Sequence, residues 1–166
     1  MAQEPEPRWL TESEQDAWRS YLRASRALEV SLDRDLQSHG VGLSEYELLS
    51  MLSEAPGGRL RMSTLADLVI QSRSRVTHTA SRLEKRGWVT RESCLEDRRG
   101  VELVLTPAGR QEVVAMAHVH VESVRRHLVD VMPPAQFAAL GEAMALVRAA
   151  QDVTSVAEPA DLAPGS

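Results

Sequence analysis

Gln71-Ser72-Arg73-Ser74-Arg75-Val76-Thr77-His78-Thr79-Ala80-Ser81-Arg82-Leu83-Glu84-Lys85-Arg86-Gly87 is the stretch whose reading decides the fold. Ser72 suits an N-cap, because its hydroxyl can accept from N–H groups that a first helical turn leaves without partners. Gly87 suits the position just past a helix end, where a left-handed conformation closes the backbone. Between them Val76, Ala80 and Leu83 recur at helical spacing and predict a narrow buried stripe. The opposite face carries Arg73, Arg75, Thr77, His78, Ser81, Arg82 and Lys85. A charged helical face is ordinarily just solvated. This one has a single sign, begins at the helix N-terminus and is interleaved with small hydroxyl residues. Such a face suits a helix that enters the major groove of DNA, with N-terminal side chains at base edges and flanking cations on phosphates. Arg73 and Arg75 each have the fork to bond guanine bidentately.

The neighbours extend this reading in both directions. Ser63 to Val69 reads as a short capped helix, separated from Ser72 by a tight turn, so the pair is a helix-turn-helix. Downstream, Trp88 to Glu92 and Val101 to Leu105 are β-rich runs around a polar loop, Ser93 to Gly100, which predicts a hairpin with paired arginines near its tip. A wing of this kind can carry an arginine into the minor groove, where narrowness strengthens the negative potential. Leu65-Ala66, Ser72, Val76-Thr77, Arg82-Leu83-Glu84-Lys85-Arg86-Gly87, Val89, Arg91, Asp97-Arg98-Arg99 and Leu105-Thr106-Pro107-Ala108-Gly109 occur in that order. Through them the segment from about Leu43 to Arg110 closely resembles the MarR family of bacterial transcription regulators. The resemblance implies that Asp97 steadies a wing arginine, Arg98 or Arg99, at the minor groove. The expected DNA contacts are therefore Ser72, Arg73, Ser74, Arg75, Thr77, His78, Arg82, Asp97, Arg98 and Arg99.

Composition sets the bounds. The 166 residues carry a formal charge of −5, which argues against nucleic acid only as a chain average. From Arg73 to Arg99 there are eight Arg and Lys against four Asp and Glu. Local sign governs, because salt screens exposed charges beyond about 8 Å. Aromatic residues make up only 4% of the chain against 43% apolar, so the core is expected to be built from Leu, Val, Ala and Met in helices. One cysteine allows no internal disulfide and gives no zinc-finger spacing. With no leader-like segment and no apolar run of membrane-spanning length, a soluble cytoplasmic protein without membrane partners is expected.

Taken in order, residues 1–10 read as a flexible arm. Thr11 to Glu14 forms a capping-box pattern, and Trp18, Tyr21, Ala24, Leu28, Leu32 and Leu36 then mark one helical face up to His39-Gly40. Ser44 to Glu47 reads as a second capping box, followed by Leu48, Leu49 and Leu52. Arg59-Leu60-Arg61 is long enough only for a small third strand. Thr106-Pro107 restarts a helix whose apolar positions run to Val131; Pro133-Pro134 breaks it, and a last helix carries Phe137, Leu140, Met144 and Val147. Residues 151–166 read as a disordered tail. The expected fold is thus mainly α, an α+β winged helix-turn-helix over 41–106, with the helices of 11–40 and 107–150 forming a dimerisation bundle. Their apolar stripes flank a small domain rather than fill it, and packing against a two-fold copy covers them. The resemblance implies the same homodimer and a pseudo-palindromic operator.

Effector and cofactor readings are narrower. MarR-like proteins often bind small phenolic or aromatic-carboxylate compounds, and Trp18, Arg19, Tyr21, His39 and Tyr46 are the candidates for such a site, with ordinary packing as the alternative for each. No cofactor is expected. His118, His120, Glu122 and His127 invite a metal, but only His118 and Glu122 stand at the co-ligating i, i+4 spacing, and two ligands make a poor site. Cys94 lies among Glu92, Glu96 and Asp97, which disfavour a thiolate, so it reads as a surface or partly packed residue. No nucleophile elbow, phosphate loop or Ser/His/Asp constellation supports an enzyme. The expected function is a homodimeric, sequence-specific DNA-binding regulator, a repressor released by a small aromatic effector; a metal- or redox-responsive regulator of the same fold is the alternative. One departure stands out: where the family commonly has Gly then Leu before the recognition helix, this chain has Ile70 then Gln71, and isoleucine is strained at a positive φ.

Overall fold

The computed structural model describes residues 7–94 and 100–156, with the side chains of 152–156 outside the description. The chain divides into two compact units, 1–127 and 128–166. In the first unit, α1 (Glu12–Gln37) is followed by α2 (Leu43–Glu54), β1 (Arg59–Arg61), α3 (Met62–Leu68) and α4 (Arg73–Lys85). Then come the hairpin strands β2 (Val89–Ser93) and β3 (Val101–Leu105) and the helix α5 (Pro107–Val124). The second unit contains α6 (Pro134–Val156). This is the mainly helical winged helix-turn-helix that the sequence predicts.

The caps explain where the helices begin. Thr11 accepts from the N–H of Glu14, whose carboxylate accepts from the N–H of Thr11, so the predicted capping box closes α1. The second helix starts earlier than its Ser44 pattern suggests. Gly42 has no side chain to cap with, so Glu45 accepts from the N–H of Gly42 at 2.9 Å and Asp33 of α1 accepts from that of Leu43 at 2.8 Å. A side chain ten residues upstream replaces the local cap, which the sequence pattern of one helix cannot reveal.

A single apolar cluster binds the winged elements together. Leu48, Leu49 and Leu52 of α2, Leu65 of α3, Val76, Ala80 and Leu83 of α4, and Val89, Leu103 and Leu105 of the hairpin are buried in it. Each fully buried aliphatic side chain contributes about 1.5–3 kcal/mol, so this cluster dominates the local stability. The sheet has the order β1-β3-β2, with β1 paired antiparallel to β3 in the register Leu60↔Leu103. The short Arg59–Arg61 stretch is therefore the predicted third strand. Arg59 bridges Glu102 of β3 at 3.0 Å and also pairs with Glu92 of β2, which offsets the repulsion between two carboxylates directly opposite in the register.

The junction between recognition helix, hairpin and α5 is built around one threonine. Thr106 accepts from the N–H of Gly109 and donates to the carbonyl of Gly87, while its own N–H bonds the carbonyl of Trp88. The N-terminus of α5 approaches so closely that a Cβ on Gly109 would overlap the Trp88 carbonyl and sit 2.8 Å from Leu105. That contact accounts for the glycine of the Leu105 to Gly109 motif. Gly87 itself closes α4 at φ 74°, as its position predicts.

Two boundaries differ from expectation. The helix after Pro107 does not continue regularly to Val131: after Val124 the chain widens into a π-turn over Arg125–Val129. There Ser123, Arg126 and His127 converge on Asp35 of α1, and an extra residue in the turn brings all three to one carboxylate. The last helix runs to Val156, past the point where the tail was expected to begin, and Ala-rich sequence sustains it.

Candidate nucleic-acid interface

The helix α4 offers its predicted face to solvent. Ser72 caps it by accepting from the N–H of Arg75, and Arg73, Ser74, Arg75, Thr77 and His78 are all exposed in its first two turns. Val76, Thr79, Ala80 and Leu83 hold the opposite face in the core. The hydroxyls of Thr77 and Ser81 donate back to the carbonyls of Arg73 and Thr77 at 2.8 and 2.9 Å. Their protons are thereby engaged, and the Thr77 oxygen remains able to accept, a polarity suited to the amino groups of adenine or cytosine. A concavity lined by Arg61, Ser63, Arg73, Thr77 and Gly100 continues this face toward the base of the wing. Asp97, Arg98 and Arg99 of the predicted wing lie outside the described residues.

Arg82 has a different setting from its neighbours. Its Nε donates to Glu45 at 3.2 Å, joining α4 to the capping carboxylate of α2. Two further arginines missed as individual contacts organise the same surface. Arg91 of β2 donates to the carboxylate of Glu84, the carbonyl of Thr77 and the hydroxyl of Ser81, fastening the hairpin along α4. Its signal was strand periodicity: it stands two residues from buried Val89, on the face turned to the helix. Arg86 donates to the carbonyl of Gly40 at 2.7 Å and lies over the Trp88 ring.

The turn ahead of α4 resolves the Ile70 question. Ile70 adopts φ 52°, so the left-handed residue that the turn needs is present without glycine. Gln71 then uses its amide: Nε2 donates to Glu47 of α2 at 3.1 Å, and its backbone N–H bonds the carbonyl of Ala66.

On the single chain the five candidate effector residues lie apart. Trp18 and Tyr21 stack at 5.9 Å on the exposed N-terminal half of α1, beside Arg19, which pairs with Asp16 and Gln15. At about 1.5 Å per residue, roughly 25 Å of helix separates them from its other end. There His39 lines a cleft with Asp35, His118 and Glu122. Tyr46 lies elsewhere: buried against Leu36, Val41 and Met116, it reaches a third concavity of about 380 Å³ between α1, α2, α5 and the turn at Ile70. Helical periodicity places residues on a face but does not say which end of a long helix meets the rest of the chain. Burial pushes the Tyr46 phenol up and the His120 imidazole down from their ordinary values.

The remaining chemistry is sparse. Among the described residues no group of three His, Cys, Asp or Glu is placed to hold a metal ion, and no helix is long and apolar enough to cross a membrane. Cys94 is more enclosed than its polar surroundings in sequence imply, with Sγ 3.7 Å from Glu102.

Comparison with known proteins gives a consistent result. The sequence profile of the MarR family matches residues 39–100. AbsC of Streptomyces coelicolor, a MarR family transcriptional regulator, is 42% identical, with a TM-score of 0.82 over 88% of this chain and 99% of that one. Sco3205 from the same organism, another MarR family regulator and one seen in complex with DNA, is 45% identical with a TM-score of 0.82 over 87% of this chain and 91% of its own. The transcriptional repressor MprA of Escherichia coli is 31% identical over 87 residues, 52% of this chain and 49% of MprA, so the chain spans about half that relative's length.

Proposed function

Because the chain belongs to the MarR family of DNA-binding transcription regulators, we propose that it acts as a homodimeric repressor that reads a pseudo-palindromic operator. The observation that carries this reading is the exposed, one-signed N-terminal face of α4, with Arg73, Ser74, Arg75, Thr77 and His78 around a capped helix start. In this reading α4 enters the major groove, and the wing carries Arg98 or Arg99, steadied by Asp97, to the adjacent minor groove. Residues 41–106 form the DNA-binding domain. Residues 11–40 and 107–150 form the dimerisation region. Its support is apolar surface left open on the single chain: Trp18 and Val30 of α1, and Val114 and Val121 of α5, are about half exposed or more. Repression follows from occupancy of a promoter, and it is relieved by a small aromatic effector that favours a dimer with wrongly spaced recognition helices.

The test is fluorescence anisotropy with DNA from just upstream of the protein's own gene, against a scrambled duplex, over several salt concentrations. Specific binding with a steep salt dependence, together with a dimer by sedimentation equilibrium, is the expected result. Equal weak binding to both duplexes, repeated with sites selected from the genome, would sink the operator reading. A monomer at binding concentrations would sink the dimer.

A further inference from the structure

The concavity reached by Tyr46 has an unusual lining for a site expected to take phenols or aromatic acids. Its walls are apolar, and its polar groups are Glu29, Tyr46, Glu47, Ser50 and His120, with no lysine or arginine among the described residues that line it. Glu47 is held above the ordinary carboxylate range, first by burial and then by Glu29, against a weaker opposing pull from Arg75. Burial holds the His120 imidazole below its ordinary value, and its Nδ1 is enclosed without a hydrogen-bond partner. A ligand carboxylate would meet Glu29 and Glu47 in a partly desolvated site, like charge against like. A ligand cation would neutralise Glu47 instead.

The same carboxylate is wired to the DNA-reading face. Glu47 accepts from Gln71 Nε2, and Gln71 directly precedes Ser72, the cap of α4. The other amide atom, Gln71 Oε1, is enclosed and has no partner, so Gln71 is held by this one side-chain bond. Beside it Ile70 supplies a strained, exposed rim to the concavity. This wiring belongs to this chain, since a leucine at position 71 would offer Glu47 no donor.

We propose that this concavity binds a cationic aromatic compound, its ring against Tyr46 and the apolar walls and its protonated amine on Glu47, and that the amine displaces Gln71 and so loosens the start of the recognition helix. The inference rests on the effector-responsive reading above, and departs from it in the charge of the effector. An ammonium offers donors to Glu47 and, through a second N–H, to the hydroxyl of Ser50. With the Glu47 carboxylate engaged by the ligand, Gln71 loses its anchor, and the turn at Ile70 relaxes toward a less strained conformation.

The experiment uses the full chain and three probes that share one ring and differ in charge: benzylamine, benzyl alcohol and benzoate. Binding is read by ligand-observed NMR and thermal shift without DNA. Benzylamine is expected to bind at least about tenfold more tightly than benzoate, the usual worth of a charge-assisted hydrogen bond. Glu47→Gln, with folding checked by circular dichroism, is expected to remove that preference. Gln71→Leu is expected to bind benzylamine more tightly than the wild type, because Glu47 is no longer shared. Operator affinity should fall with benzylamine in the wild type and be unresponsive in Gln71→Leu. Benzoate binding as tightly as benzylamine, or no binding by any probe, overturns the site, while operator binding without ligand remains a separate test of the regulator itself. A benzylamine response that persists in Gln71→Leu overturns the link through Gln71.

Discussion

Arg82 Nε donates to Glu45 Oε1 at 3.2 Å, so the recognition helix is fastened to the same carboxylate that caps α2. Glu45 is only 5% exposed, whereas Arg82 is largely open to solvent. Removing the two partners therefore has unequal effects. Glu45→Ala loses the cap and the cross-helix bond, and should cost about 1–2 kcal/mol in urea denaturation. Arg82→Ala should cost under about 1 kcal/mol, discounted for its exposure, and weaken DNA binding equally on cognate and random duplexes. A selective loss on the cognate site, with stability unchanged, would instead make Arg82 a base reader.

Arg73 and Arg75 differ from Arg82 because both project from the first turn of α4 into solvent. Each replacement by alanine is expected to weaken cognate binding by about 1–3 kcal/mol and to relax sequence preference at one base pair. The check is anisotropy against single-substituted operators. Equal losses on every sequence, together with a shallower salt dependence, would assign the arginine to phosphate.

Ile70 sits at φ 52° while 88% exposed, so it pays backbone strain with almost no burial in return. A β-branched residue in this conformation costs on the order of 1–2 kcal/mol, and glycine recovers it less roughly 0.5–1 kcal/mol of added chain entropy. Ile70→Gly should therefore leave stability equal or higher by up to about 1 kcal/mol, measured as the shift in urea midpoint. A clear destabilisation would show that the Ile70 side chain makes contacts that outweigh the strain.

The sequence made the winged domain legible because its determinants are local. Ser72 and Gly87 bound α4, Thr106-Pro107 opens α5, and Val76, Ala80 and Leu83 declare the buried face by spacing alone. What it hid were relations between elements distant in the chain. Asp33 capping α2, Arg91 lying along α4 and Asp35 gathering the end of α5 all join residues whose neighbours in sequence give no hint of the partner. The separation of the candidate effector residues along the single chain was hidden for the same reason. Trp18, Tyr21 and Tyr46 were grouped by residue type, but a long helix and a buried core keep them apart.

Asp35 supplies a pH-dependent prediction. Its carboxyl lies below the ordinary aspartate value, first through the hydrogen bond from buried Ser123 and then through His127 and Arg126, with burial acting in opposition. Between the folded and unfolded values the unfolded chain binds more protons, so acid favours unfolding. The contribution of this cluster is therefore fully present above the unfolded value, near 3.8, and is lost as pH falls through the lower folded value. Ser123→Ala should lower Tm by a nearly constant amount above about pH 5, and the difference from the wild type should narrow in acid as Asp35 becomes protonated in both proteins. Thermal melts from neutral pH down to about pH 3 measure this directly. A difference that stays constant into acid would mean that Ser123 stabilises the end of α5 by packing, with no dependence on the charge of Asp35.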